Sequence, residues 1–156
     1  MPVRIQTEDF DVAQELAALR ANDRSVGAVA AFIGTVRDVN ADAQVETMTL
    51  EHYPGMTEKA LGEIVDAAKA RWRIADALVI HRVGALHPAD QIVLVGVTSA
   101  HRGDAFAACE FIIDYLKTRA PLWKKEDTAT GARWVEARAS DDDAALRWQV
   151  PQKPAA

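Results

Sequence analysis

The chain has 156 residues and a formal net charge of −5, with 49% hydrophobic and 26% charged residues. That length suits one domain with a sizeable core, and the acidic balance argues against general nucleic-acid binding, which wants a basic surface. The longest apolar runs, such as Ala28–Ile33 and Ile92–Val95, are far too short to span a bilayer. The start Met-Pro-Val-Arg-Ile has no apolar signal region, so the chain reads as cytoplasmic.

In chain order, Val3–Gln6 reads as a short strand and Asp11–Arg20 as a helix with Val12, Leu16 and Leu19 on one face. Asn22–Ser25 is a polar loop. Gly27–Gly34 is apolar at nearly every position, which suits a buried strand. Arg37–Gln44 is polar and turn-like, and Val45–Tyr53 is the next strand. After the break at Pro54-Gly55, the apolar positions Met56, Ala60, Leu61, Ile64, Val65, Ala68 and Trp72 recur with helical spacing. Ala77–Val83 and Gln91–Ser99 read as a hairpin whose loop, Gly84–Asp90, is a turn.

Gly103–Ala120 is a helix with Phe106, Cys109, Ile112, Ile113 and Leu116 as its apolar stripe. Pro121 ends it, because proline lacks an amide hydrogen and disfavours helix in the residue before it. Arg133–Ala137 is a last strand. Ser140-Asp141-Asp142-Asp143 opens a short helix towards Trp148, and Val150–Ala156 is a frayed tail. Residues 1–149 therefore form one domain of α+β class with a largely antiparallel or mixed sheet.

The stretch Tyr115–Lys125 holds Lys117, Arg119, Lys124 and Lys125 and no acid. In an acidic chain such a cluster concentrates positive potential locally. A second basic pair, His101-Arg102, falls at a strand-to-helix junction, where free amides and the helix dipole favour an anion. A guanidinium there adds a bidentate grip on phosphate or carboxylate. The plainer alternative pairs Arg102 with Asp104 or Glu126 on the surface.

Lys117 is open to two readings. One is a solvated helix face with a weak Asp114–Lys117 pair. The other is a lysine made reactive by crowding among like charges, acting as general acid, base or nucleophile. Trp123 reads as a core residue, and Arg37 is a further cation at a loop mouth. Cys109, the one cysteine, sits among apolar neighbours and reads as inert. A single cysteine excludes an intrachain disulfide, and the four histidines lack metal-ligand spacing. No phosphate-loop or dinucleotide motif is present, and neither a metal nor a cofactor is expected.

Several of these motifs, in order, resemble one family. Leu50-Glu51-His52-Tyr53-Pro54-Gly55-Met56, then Val97-Thr98-Ser99-Ala100-His101-Arg102, then Asp114-Tyr115-Leu116-Lys117-Thr118-Arg119-Ala120-Pro121 with Trp123-Lys124 are similar to the large, catalytic subunit of molybdopterin synthase, MoaE. Gly34-Thr35-Val36-Arg37 and Arg133-Trp134-Val135-Glu136 resemble it too, so the likeness spans roughly residues 3 to 148.

The resemblance implies an α/β hammerhead core with an additional sheet, assembled as a homodimer, and as a heterotetramer with a small carrier. It implies a sulfurtransferase that installs the two dithiolene sulfurs of molybdopterin on cyclic pyranopterin monophosphate, precursor Z. The sulfur would arrive as a thiocarboxylate on the C-terminal Gly-Gly of a ubiquitin-like carrier of MoaD type. This chain ends Pro-Gln-Lys-Pro-Ala-Ala, so it is not that carrier.

Carried over by motif, Lys117 and Lys124 are the catalytic residues. Arg37, His101, Arg102, Lys117, Lys124 and Lys125 bind substrate, with backbone help near Thr35 and Val36. Some of them are expected to serve the neighbouring protomer's site. Thr35 departs from relatives that carry a basic residue there. A non-catalytic anion-binding subunit of the same fold is the alternative; a stand-alone cyclic-phosphate hydrolase with His101 as base lacks a partner of obvious spacing.

Overall fold

The computed structural model describes residues 2–40, 43–129, 131–135 and 139–149. Among the described residues, two sheets and three of four helices share one main core, while the first helix packs on a smaller cluster of Phe10, Leu78, Ile80 and Leu94, so the α+β class holds. The first sheet has the order β1-β5-β7-β2, from β1 (Val3–Gln6), β5 (Asp76–Arg82), β7 (Gln91–Ser99) and β2 (Ala28–Thr35). Only β1 and β5 are parallel. The second sheet runs β3-β4-β8-β9, from β3 (Val39–Asn40), β4 (Ala43–His52), β8 (Leu122–Thr128) and β9 (Gly131–Trp134). The short β6 (Gly84–Leu86) pairs with β4 at Leu50↔Gly84 and Met48↔Leu86.

Helix α1 (Val12–Leu19) begins at Asp11, whose side chain accepts the Gln14 amide, and ends at Arg20; both outer residues of the expected helix are thus its caps. It packs on the first sheet over Gly96, where a Cβ would lie 2.9 Å from Leu16. Helices α2 (Met56–Arg71) and α3 (Arg102–Arg119) bury Leu61, Ile64, Val65, Ala108, Ile112 and Leu116 in the main core. Helix α4 (Ala139–Leu146) and a 3-10 turn (Arg147–Gln149) close the described chain. Trp148 is held there by edge-on contacts with Trp72 and Phe111, with the Arg71 guanidinium donating to its carbonyl.

Several expectations change. Strand β2 is an edge, not a buried strand: Val29 and Ile33 are about 40% exposed and only Ala30 is buried. A strand apolar on both faces reads the same whether its covering is its own chain or another surface. The Arg37–Gln44 turn contains β3, and the Gly84–Asp90 turn contains β6. Strand β8 was not expected, because Trp-Lys-Lys-Glu-Asp carries no apolar alternation.

Phe106 is 65% exposed rather than part of α3's stripe; Ala105 and Ala108 take the buried positions beside it. Trp123, expected in the core, is about half exposed on the outer face of β8. The expected last strand Arg133–Ala137 is met in part by β9; its positions 136 and 137, and the tail Val150–Ala156, lie outside the described residues.

The chain reverses between α3 and β8 at Pro121, and this turn is pinned from outside. Thr57, fully buried, donates its hydroxyl to the Pro121 carbonyl at 2.9 Å and accepts the Tyr53 amide at 2.9 Å. Replacing Thr57 by Val keeps the shape and leaves both backbone groups without this partner. We expect Thr57→Val to lower unfolding free energy by about 1–3 kcal/mol, measured by urea titration. A change below a few tenths of that would show the turn is held by other means.

Candidate functional site

Where the two sheets meet the end of α3, a cleft of about 370 Å³ opens. Its floor is apolar, from Val45, Met48, Ile92 and Leu116. Its cations come from three elements: Arg37 after β2, Lys117 in the last turn of α3, and Lys124 on β8. Pro121 makes the convergence possible. It stops α3 at Arg119, two residues after Lys117, and β8 then alternates Leu122, Lys124 and Glu126 inward with Trp123, Lys125 and Asp127 outward. Lys125 therefore faces away from the cleft. It is not among the residues lining this cleft, for the pleat that aims Lys124 inward must aim its neighbour out.

The rim bearing Arg37 is fixed by backbone. Val36 donates to the Asp90 carbonyl at 2.9 Å, and Ala89 donates back to the Val36 carbonyl at 2.8 Å. Val36 is buried by this and Arg37 stands exposed beside it.

Two acids near the cations are engaged locally, while a third, Asp141, lines the cleft. Asp114 does not pair with Lys117: its Oδ2 accepts from Arg147 Nη2 and from Trp148 Nε1, each at 2.7 Å. The solvated Asp114–Lys117 pair is thereby removed as an account of Lys117. Glu126, buried in the cleft wall, accepts from Asn40 Nδ2 at 2.5 Å and from Arg133 Nη2 at 3.3 Å. Neither Glu126 nor Asp104 pairs with Arg102; Asp104 accepts the Arg73 amide at 3.3 Å.

His101 and Arg102 do not line this cleft. His101 is the N-cap of α3 and both residues are exposed, at the opposite end of the helix from Lys117. Sixteen residues of α-helix at 1.5 Å each put roughly 24 Å between the two ends. Within one chain the helix thus separates these two residues from Lys117, and no local sequence pattern shows that separation.

Two residues escaped the sequence reading. Glu126 was named only as a possible surface partner. His81 is 2% exposed on β5, lines the cleft, and is held by its Nδ1 against the Arg82 carbonyl at 2.8 Å. The signal was available: one imidazole directly follows the apolar run Ala77–Ile80 of a strand. Burial, together with the fields of Lys124, Lys117 and His52, lowers its pKa from 6.5 to about 4. Cys109 behaves as expected, its thiol pushed up to about 11 by burial.

With this geometry in view, the comparisons with known proteins speak to the whole chain. The family described as "MoaE protein" matches residues 5–119. The chain belongs to the MoaE family.

A "Molybdopterin synthase catalytic subunit" of Ralstonia nicotianae is 66% identical over 95% of this chain and 84% of its own length. One of the same name from Pseudomonas aeruginosa is 56% identical over 96% of this chain and 99% of its own. Among solved structures, the "Molybdopterin biosynthesis MoaE protein" of Burkholderia ambifaria superimposes with a TM-score of 0.82. It is 58% identical and covers 96% of this chain and 98% of that one. The resemblance read from short motifs is thus a property of the entire MoaE fold.

The depressed pKa of His81 sets a pH dependence of stability. The unfolded chain binds a proton at His81 below about pH 6.5 and the folded chain only below about 4. This contribution is therefore complete above pH 6.5 and is lost progressively as pH falls to 4, by about 3 kcal/mol in all. Urea unfolding at pH 7 and pH 4.5 should show a larger acid loss in wild type than in His81→Phe. Equal losses would mean that His81 titrates alike in the folded and unfolded chains.

Proposed function

We infer that this chain is the catalytic subunit of a molybdopterin synthase, a sulfur-transferring enzyme of molybdenum-cofactor biosynthesis. The observation that carries the reading is the convergence of Lys117, Lys124 and Arg37 on one cleft, in a chain 66% identical to a protein of that name. The substrate is precursor Z, whose phosphate needs cations. The sulfur donor is a ubiquitin-like carrier whose C-terminal Gly-Gly thiocarboxylate is itself an anion. Both are served by preorganised positive groups beside an apolar floor.

In this reading the carrier's thiocarboxylate sulfur attacks a substrate carbon and displaces the oxygen that carbon bears, which leaves as water or as the freed phosphate oxygen, giving a thioester between the two. Water, or the Lys117 amine, then attacks the acyl carbon, so the sulfur stays with the substrate and the carrier leaves as an acyl group. A bond to Lys117 would be a transient amide, hydrolysed to free the carrier carboxylate. Lys124 steadies the charge that develops. The carrier tail is glycine because a narrow approach leaves no room for side chains. The reaction takes place in the cytoplasm.

His101 and Arg102 fit the same scheme only across a dimer. They stand next to the start of β2, where the Gly27 amide donates to the Ser99 carbonyl at 2.9 Å, while Arg37 follows the end of β2. If two β2 edges meet antiparallel about a two-fold axis, the start of one lies beside the end of the other. His101 and Arg102 of one protomer then reach the phosphate in the partner's cleft. The exposed Val29, Ala31 and Ile33 supply the apolar surface such a dimer would bury. With one carrier per protomer the assembly is a heterotetramer.

The purified chain, mixed with precursor Z and thiocarboxylated carrier, should form molybdopterin; no product with a cognate or closely related carrier would overturn the reading. Lys117→Ala should lose product formation by a hundredfold or more while its thermal unfolding stays normal. Arg102→Ala should weaken substrate binding by roughly 1.5–3 kcal/mol, read by titration. Mixed dimers of the two variants should regain part of the activity, since one of their two clefts is then intact. No recovery on mixing would place Arg102 outside the partner's site.

Removing the two terminal glycines of the carrier should abolish transfer and leave its capture in a pull-down largely intact. Normal transfer by the shortened carrier would sink the tail-threading part of the scheme.

A further inference from the structure

His81 is a buried imidazole with one nitrogen already assigned. A carbonyl oxygen can only accept, so Nδ1, 2.8 Å from the Arg82 carbonyl, carries the proton. The neutral ring then has a bare lone pair on Nε2. His81 lies on β5 with Arg82 turned the other way, its guanidinium donating to the carbonyls of Thr7 and Gln91 at 3.0–3.1 Å. The imidazole side of that strand is the wall of the cleft that Lys117 and Lys124 enter.

The charged and titratable groups about it come from every neighbouring element. Lys117 stands on α3, Lys124 and Glu126 on β8, and His52 on β4, with Arg37 and Asp141 at the same cleft. Glu126 is engaged by Asn40 and Arg133. Of the cations, Lys124 acts on the ring most strongly, then Lys117. An ammonium has three donors and no acceptor, so it can serve another partner and still reach a ring nitrogen.

We propose that His81 is a positioning residue for sulfur transfer, its bare Nε2 accepting a hydrogen bond from the Lys124 ammonium and fixing where that charge stands in the cleft. The role rests on the assignment of Lys124 made above. A neutral acceptor suits the task better than a carboxylate. It orients the ammonium without cancelling the positive charge that substrate phosphate and thiocarboxylate need. It also stays neutral across the physiological range, because burial disfavours the charged ring and its protonation would place a third cation beside two.

The test begins with the free wild-type protein. Long-range proton–nitrogen NMR of the imidazole should show Nδ1 protonated and Nε2 bare from pH 8 down to 5; a proton on Nε2 at pH 7 would overturn the proposal. Lys124→Met should raise the His81 midpoint by about one pKa unit, and by more than Lys117→Met does. An unmoved midpoint in Lys124→Met would also overturn it.

In single turnover, His81→Phe should be slowed at least tenfold, and His81→Gln, which restores an acceptor and a donor, should recover most of the rate. Thermal unfolding of both variants separates this from a packing defect. If the Gln variant is as slow as the Phe variant at equal thermal stability, the positioning role fails. Should His81→Phe not fold, the imidazole spectra of wild type and Lys124→Met still decide. Lys124→Met that shifts the midpoint yet turns over normally would overturn the positioning role, since Lys124 would then lie outside the chemistry.

Discussion

The site depends on one anchored reversal of the chain. Pro121 cannot continue α3, and its carbonyl is held by the buried Thr57 hydroxyl of α2. Lys117 must therefore leave the helix at its last turn, and the strand that follows must begin beside it. Leu122 to His52, Lys124 to Leu50 and Glu126 to Met48 are then paired in register with β4. A one-residue slip of β8 would turn Lys124 outward and Lys125 inward, so the register of this pair sets the charge in the cleft.

The electrostatics are arranged by subtraction. The cleft's cations sit in a chain of net charge −5, where two nearby carboxylates, Asp114 and Glu126, have other partners. Arg147 and Trp148, from the end of the described chain, take Asp114; Arg147 also takes Glu110. Asn40 and Arg133 take Glu126. The C-terminal helix and turn thus contribute to the site without lining most of it: they occupy the acid that would otherwise neutralise Lys117. Their own anchorage is the aromatic cluster of Trp72, Phe111 and Trp148 beneath the Arg71 guanidinium.

The first sheet contributes differently at its two sides. Strands β5 and β7 are buried on both faces and carry His81 and Ile92 to the cleft. Strand β2 ends at the rim with Arg37 while its outer face stays apolar and uncovered, since α1 reaches only as far as β5 and β7. An exposed apolar edge is a liability unless it is covered.

The sequence by itself determined the family, the α+β class and most elements. It also gave the identities of the cleft cations and the inertness of Cys109, because helical spacing, proline and short motifs are local. Phe106, Trp123 and β2 were misread for the same reason: an apolar residue is equally apolar in a core and on an exposed face. What only the tertiary structure decided was grouping. Lys124 and Lys125 are adjacent in the chain and lie on opposite faces of a strand, while Lys117 and His101 share one helix and stand a helix-length apart. His81, some forty residues from either lysine in sequence, joins them only because two sheets close on the end of α3. Which charges meet depends on the pleat, the helix length and the packing of distant strands, and no local pattern carries that information.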